Sequence, residues 1–252
     1  GYMRRNARSI GIAIVGCGTV GGSAAVMLTR DRDLLRGRTG LDLNLKHIVD
    51  KNFANAERLG LDKNLFRTDL GAALADPEVS VVVETVGGTT FAKDITEKTL
   101  AAKKNVVTAN KALIAKAGPE LLSLARRNGV TLSFEASCGG GIPIIRALYD
   151  GLVANRIDAL YGIVNGTCNY ILTQMIGTGQ SYGAALAAAQ RDGLAEADPT
   201  LDVSGMDSAH KLAILASLAF GRKVDLDSIP VSGIDKRSEE RRVGKECRCR
   251  WS

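Results

Sequence analysis

Ser9-Ile-Gly-Ile-Ala-Ile-Val-Gly16-Cys-Gly18-Thr-Val-Gly21-Gly22 decides the fold. An apolar run enters a glycine-rich turn, and Val20 to Leu28 leaves it with helix-forming residues. In a strand–turn–helix of this kind Gly16 allows the tight turn, Gly18 lets backbone approach a pyrophosphate, and Gly21 lets helix and strand pack closely. The helix N-terminus adds free N–H groups and a partial positive charge suited to phosphate. The pattern predicts dinucleotide binding, with a purely structural glycine turn as its alternative. Thr19 and Val20 lie between the glycines and join the expected cofactor-binding set. The next strand ends at Asp50-Lys51. A carboxylate there accepts from an adenosine ribose and favours NAD, whereas an ammonium pairs with a 2′-phosphate and favours NADP. The segment Asp31 to Asp42 separates that pair from the loop by more than the usual spacing, so NAD and NADP both stay open.

Working outward, strands and helices alternate. LNLKHIV reads as a second strand and VSVVVET, ending at Thr85, as a third. FAKDITEKTLAAKK precedes the strand VVTA, and PELLSLARRNG precedes TLSFEA. Such alternation specifies a parallel sheet with helices on both faces. After Glu135 come a glycine cluster, a helix IPIIRALYDGL, a strand IDALYGIV and then Ala-rich helices. The expectation is an α/β chain: a Rossmann-type doubly wound parallel sheet over residues 1–137, and a second, incomplete α+β domain over residues 138–236. Residues 237–252 form a tail.

Composition excludes several classes. The formal charge of +6 comes from the ends. Setting aside Arg4, Arg5 and Arg8, and the six basic and three acidic residues of Arg237 to Ser252, leaves 24 basic against 24 acidic residues. That neutral body, with 4% aromatic residues, predicts no nucleic-acid partner. No apolar run approaches the about 18 residues of a membrane span, and no secretory pattern opens the chain. Cys17, Cys138 and Cys168 are odd in number and far apart, which predicts reduced thiols and a cytoplasmic protein. RSEERRVGKECRCRWS resembles a translated sequencing-adapter read-through and is expected to be artefactual; a Cys247–Cys249 metal pair is the alternative.

The acidic stretch DGLAEADPTLDVSGMDSAHK, from Asp192 to Lys211, holds Glu196, Asp198, Asp202 and Asp207 close together. Carboxylates so dense repel unless they hold cations, amines or backbone donors. Asp207 and Lys211 share one helix face. The plain alternative is an Asp-Pro turn, a helix cap and an exposed ion pair.

VVVETVGG, VVTANKALIAKAG, FEASCGGGIPIIRAL, YGIVNGTCNYILTQM and GLAEADPTLDVSGMDSAHKLAILASLAFG resemble, in order, the homoserine dehydrogenases. The likeness runs from about Ile10 to Gly233. It implies NAD(P)H-dependent reduction of L-aspartate 4-semialdehyde to L-homoserine, in the branch leading to threonine and methionine. It implies Lys211 as the proton donor and Lys111 near the nicotinamide, where a surface lysine capping the following helix is the alternative. It assigns Glu196 and Asp207 to the substrate ammonium, and Asp202 to Lys211 or a turn; Asp198 before Pro199 reads as the turn itself. Thr85 and Lys111 complete the cofactor set. Glu135 with the carbonyls of Cys138, Gly140 and Ile142 resembles the family's monovalent cation (Na⁺) site, with an ion-free hinge as the alternative. His210 and His47 read as structural. The small-molecule amino-acid substrate would be turned over by a homodimer or higher homo-oligomer. The family continues past Gly233, so this chain is expected to be a fragment, destabilised and inactive by itself.

Two other classes compete. A thiolate-based aldehyde dehydrogenase would use Cys168 as nucleophile, and that requires a base to form the thiolate. A non-catalytic nucleotide-binding domain would not need paired lysines and clustered acids.

Overall fold

A computed structural model describes residues 8–235. The tail from Arg237 to Ser252, with Cys247 and Cys249, lies outside the described residues, as do Arg4 and Arg5. The chain divides into two compact units, Gly1–Asn155 and Arg156–Ser252.

The first unit alternates strand and helix. In order these are β1 (Arg8–Val15), α1 (Thr19–Arg30), α2 (Arg32–Thr39), β2 (Leu41–Val49), α3 (Ala54–Arg58), β3 (Phe66–Arg67), α4 (Leu70–Ala75), β4 (Val79–Glu84), α5 (Thr90–Ala101), β5 (Asn105–Thr108), α6 (Lys111–Arg127), β6 (Leu132–Ser133) and the single turn α7 (Ile144–Arg146). The six strands are ordered β3-β2-β1-β4-β5-β6, and every pairing is parallel. This is the doubly wound Rossmann arrangement, in which strand order reverses beside β1 and ligands bind at the carboxyl edge.

Side-chain alternation along β1 explains why both faces are covered. Ile12 and Ile14 point into one core with Ala25, Leu28, Leu45 and Ile48, whereas Ala13 and Val15 point into the other with Val82 and Ile95. Burying Ile14 and Ile48 completely contributes about 1.5–3 kcal/mol each.

Three expectations need correction. The two-residue β3 was not foreseen; it pairs through Ile48–Phe66 and Val49–Arg67 alone and is too short to show a period. Helix α6 begins at Lys111, ahead of Pro119, which sits inside it. IDALYGIV, expected as a strand, takes no regular secondary structure and pairs with no strand among the described residues; Tyr161 and Ile163 are 94% and 76% exposed. Strand character in a sequence states a preference, and a strand exists only where a neighbour offers hydrogen bonds.

The second unit is helical among the described residues: α8 (Gly166–Thr178), α9 (Tyr182–Arg191), α10 (Thr200–Val203) and α11 (Met206–Phe220). Ile171, Ala185, Ala189, Val203 and Ile234 form its core.

At the amino edge of β4, Asp76 Oδ1 accepts from the Glu78 N–H at 2.9 Å and Oδ2 meets His47 Nε2 at 2.7 Å. The Glu78 N–H bond foremost, with the His47 contact, holds the Asp76 carboxyl below its ordinary pKa against the opposing effect of burial. A carboxylate depressed in the folded state stabilises above its unfolded pKa of about 4, and that contribution disappears as pH falls through the lower folded value. Asp76→Asn is therefore expected to cost about 1–2 kcal/mol at pH 7. The cost should fade below about pH 4. Urea midpoints at neutral and acid pH test this, and a gap that persists unchanged in acid contradicts it.

Candidate active site

The glycine-rich turn is built by backbone bonds that tie three strands together. Gly16 N donates to Val49 O and Thr85 N to Val15 O, both at 2.9 Å. Gly16 takes a φ of +92°, and a Cβ there would lie 2.8 Å from Thr85 O. At Gly21 a Cβ would overlap the carbonyl oxygen of Gly16, which is why helix α1 can approach β1 so closely. Thr85 Oγ1 donates to Gly16 O at 2.7 Å, holding the turn from the side. Beyond these contacts Gly18, Thr19 and Val20 are exposed, and nothing lies within 4 Å of a Cβ built on Gly18. Helix α1 has no side-chain cap and no acid in its first turn. Open space at Gly18 beside uncapped N–H groups is the cradle that a pyrophosphate requires, so these residues fit a dinucleotide.

Asp50 follows β2 as expected, but its carboxylate is turned into the chain. Oδ2 accepts from Cys17 N at 2.5 Å, and Oδ1 accepts from Lys51 N at 2.6 Å and Asn52 N at 3.1 Å. Lys51 Nζ lies 5.8 Å from the centroid of the exposed Phe91 ring. Burial, with Asp50 beside it, raises the Cys17 thiol pKa, so that sulfur stays neutral. Asn55, absent from the sequence expectations, donates Nδ2 to Cys17 O and Gly18 O at 2.9 and 3.0 Å. Lys111 is the first residue of α6, half-buried, next to the cap Asn110, whose Oδ1 accepts from Leu113 N at 3.0 Å.

In the second unit a lysine, two carboxylates and an amide converge. Asp207 lies in the first turn of α11, where the helix dipole favours a negative charge. Lys211 stands one turn later; its Nζ donates to Asp207 Oδ2 at 2.7 Å and to Val164 O at 2.8 Å. Asp207 is 2% exposed. Asn165 donates both amide hydrogens, to Asp202 Oδ1 and to Asp207 Oδ2, each at 2.8 Å. Its own Oδ1 accepts from Cys168 N at 2.8 Å and caps α8. One amide thus separates two carboxylates that would otherwise repel, with its bonding capacity largely used.

The remaining acids are dispersed. Glu196 is exposed, and its backbone oxygen accepts from Gln190 Nε2 at 3.2 Å. Asp198 Oδ1 accepts from Thr200 N and Oγ1 at 3.1 and 2.5 Å and forms the turn foreseen for it. His47 is buried against Asp76, and His210 is half-buried in α11.

Cys168 is a poor nucleophile here. Its Sγ donates to Asp202 O at 3.1 Å, and burial first, then the charges of Asp202 and Asp207, push its pKa up to about 11. Activation of a thiol needs the opposite shift.

Glu135, expected to help hold a cation, accepts from Ile145 N and Arg146 N at 3.0 and 2.9 Å at the start of α7. The Ile142 carbonyl accepts from Ile144 N at 2.8 Å. Among the described residues no group of three His, Cys, Asp or Glu is placed to hold a metal ion. No described helix is long and apolar enough to cross a membrane.

Sequence reasoning missed Asn55 and Asn165. Asn165 stands directly before the helix-forming Gly-Thr-Cys-Asn-Tyr, a readable cap position, but its second task depends on acids 37 and 42 residues away.

A parallel doubly wound sheet with an open glycine turn defines a dinucleotide-binding protein. Two family models cover most of the chain: the homoserine dehydrogenase NAD-binding domain over residues 16–135 and homoserine dehydrogenase over residues 143–249. The chain belongs to the homoserine dehydrogenase family. Homoserine dehydrogenase of Bacillus subtilis is 42% identical over 233 residues, 92% of this chain and 54% of that protein. The structure of a homoserine dehydrogenase from Thiobacillus denitrificans superposes with a TM-score of 0.82 at 42% identity, covering 90% of this chain and 52% of that one. A hyperthermophilic archaeal homoserine dehydrogenase solved in complex with NADPH is 25% identical, with a TM-score of 0.72 over 90% of this chain and 74% of its own. The chain spans about half the length of the Bacillus and Thiobacillus relatives.

Proposed function

We propose that this chain carries the cofactor site and the proton-donating lysine of an enzyme that reduces L-aspartate 4-semialdehyde to L-homoserine with NAD(P)H. The observation that carries the reading is Lys211, held by Asp207 and Val164 O in a chain whose other unit is a Rossmann dinucleotide fold. When bound, the dinucleotide supplies the hydride. Two of the three N–H bonds of Lys211 are spent within the protein, and the third is left for a carbonyl oxygen. An ammonium there stabilises the developing alkoxide and can release its proton to it. Because Asp207 is buried against Lys211 and Asn165, we assign it to positioning the lysine, and Glu196 with Asp202 to the substrate ammonium. Lys111, at the N-terminus of α6 on the carboxyl edge of the sheet, serves the nicotinamide end.

The adenosine end favours NADP in this reading. Asp50 is drawn inward by Cys17, Lys51 and Asn52, while the Lys51 ammonium reaches the edge beside Phe91 and suits a 2′-phosphate. Residues 1–137 and 138–236 serve as nucleotide and substrate domains. For Glu135, with the carbonyls of Cys138, Gly140 and Ile142, we read a turn bound to the start of α7 in place of the cation site. The exposed Tyr161, Ile163 and Ile176 support a homo-oligomer.

The test is oxidation of NADPH with L-aspartate 4-semialdehyde, by this chain and by a longer form of it, before and after iodoacetamide. Semialdehyde-dependent oxidation that survives alkylation is expected. Semialdehyde-dependent reduction of NADP⁺, abolished both by iodoacetamide and by Cys168→Ser, would favour the thiolate reading, in which the aldehyde is oxidised and the dinucleotide takes up its hydride. Absence of turnover in every form, with NADPH bound, would leave a nucleotide-binding protein and overturn the proposal.

A further inference from the structure

The first unit buries a carboxylate that the cofactor and substrate assignments above do not use. Glu84 is the last residue of β4, at the carboxyl edge of the sheet, and is 0% exposed. Its Oε1 accepts from Val86 N at 2.8 Å and its Oε2 accepts from Thr108 Oγ1 at 2.5 Å. Thr108 is its register partner at the end of β5 and is equally buried. The same Thr108 hydroxyl accepts from Asn110 N at 3.0 Å. Asn110 caps α6 through Leu113 N and donates Nδ2 to Gly88 O at 2.6 Å.

Followed end to end, these bonds join two loops. The loop after β4 contributes Val86 and Gly88; the loop after β5 contributes Asn110 and leads into Lys111. On the other side Thr85, adjacent to Glu84, grips the glycine turn at Gly16 O by a separate bond. A buried carboxylate is costly beside an apolar residue of equal volume, and a sheet core alone does not require one at this place. The edge where open α/β sheets bind ligands gives it a use.

We propose that Glu84 is a positioning residue for the nicotinamide end of the bound dinucleotide, setting the span between the β4 loop and the N-terminus of α6. The inference rests on the dinucleotide reading above. Chemistry dictates an acid at this position. A carboxylate accepts from both Val86 N–H and Thr108 O–H, whereas a glutamine presents an NH₂ to one of them. Thr108 cannot simply reverse its bond, because its O–H would need another acceptor while its oxygen already takes the Asn110 N–H. Glu84→Gln therefore releases one junction without a change of volume.

The experiment titrates this chain with NADPH, read by nicotinamide fluorescence, and with 2′-phospho-ADP-ribose, read by displacement of NADPH. For Glu84→Gln, NADPH affinity is expected to fall about ten-fold, the size expected of one buried charge-assisted hydrogen bond. Affinity for 2′-phospho-ADP-ribose, which lacks the nicotinamide, should move less than two-fold. Thr108→Val should reproduce the split and Thr108→Ser should restore it; if Glu84→Gln does not fold, the Thr108 pair carries the test. Unchanged NADPH affinity, or an equal loss for both ligands, overturns the inference, the latter showing only a loosened core. An unsubstituted chain that binds no NADPH overturns the dinucleotide reading, and this inference with it.

Discussion

Lys211→Arg should lower semialdehyde turnover about a thousandfold in any form of the chain that is active, with the fold kept. Arginine retains the positive charge beside the buried Asp207 and the reach to Val164 O, so the carboxylate is not left unpaired. What it lacks is an acidic proton: a guanidinium does not deprotonate under protein conditions. A positioned general acid is worth about 10²–10⁴ in rate. Lys211→Met is the harsher variant, because it also strips Asp207 of its cation at 2% exposure. Removing one partner of a buried pair costs about 3–5 kcal/mol. Stopped turnover in both variants, with instability in the Met variant only, is the expected pattern. Retained turnover in the Arg variant would mean that Lys211 contributes charge alone, and the proton donor would have to be sought elsewhere.

Gly21→Ala carries the second large effect, in the other unit. A Cβ at this place meets the backbone oxygen of Gly16, which cannot swing aside as a side chain could. Either α1 withdraws from β1, opening the core around Ile14 and Ala25, or the glycine turn shifts and disturbs the bonds from Thr85 to Val15 O and Gly16 O. Overpacking of this kind costs about 1–3 kcal/mol. The displaced turn should reduce NADPH affinity about a hundredfold or more, since the pyrophosphate relies on close backbone approach. Gly18→Ala is the informative companion. Its Cβ meets no protein atom, so the fold should be untouched while ligand binding weakens. Equal stability losses at Gly18 and Gly21 would contradict this division of labour.

Much of this was legible in the linear chain because the constraints are local. Gly16, Gly18 and Gly21 report backbone demands within six residues, and the apolar runs of β1 and β4 reflect strands covered on both faces. The Asp207–Lys211 pair is a one-turn relation on a single helix. Less legible were β3, whose two residues acquire strand form only by lying beside Ile48 and Val49, and IDALYGIV, whose strand-like composition finds no partner among the described residues. Asp50 shows the same limit in a side chain. Its place after β2 was readable, while the inward turn toward Cys17 was not, because the donor lies 33 residues away.

By itself, then, the sequence determined the dinucleotide fold, the family and the lysine–acid pair, since each depends on spacing along a strand, a turn or a helix. Only the tertiary structure decided which donors surround the buried acids and what joins the loops. Asn165 bridges Asp202 to Asp207, and Glu84 reaches Thr108 across the sheet. A buried charge is tolerated only where particular donors surround it, and those donors are brought to it from distant positions by the packing of the whole unit.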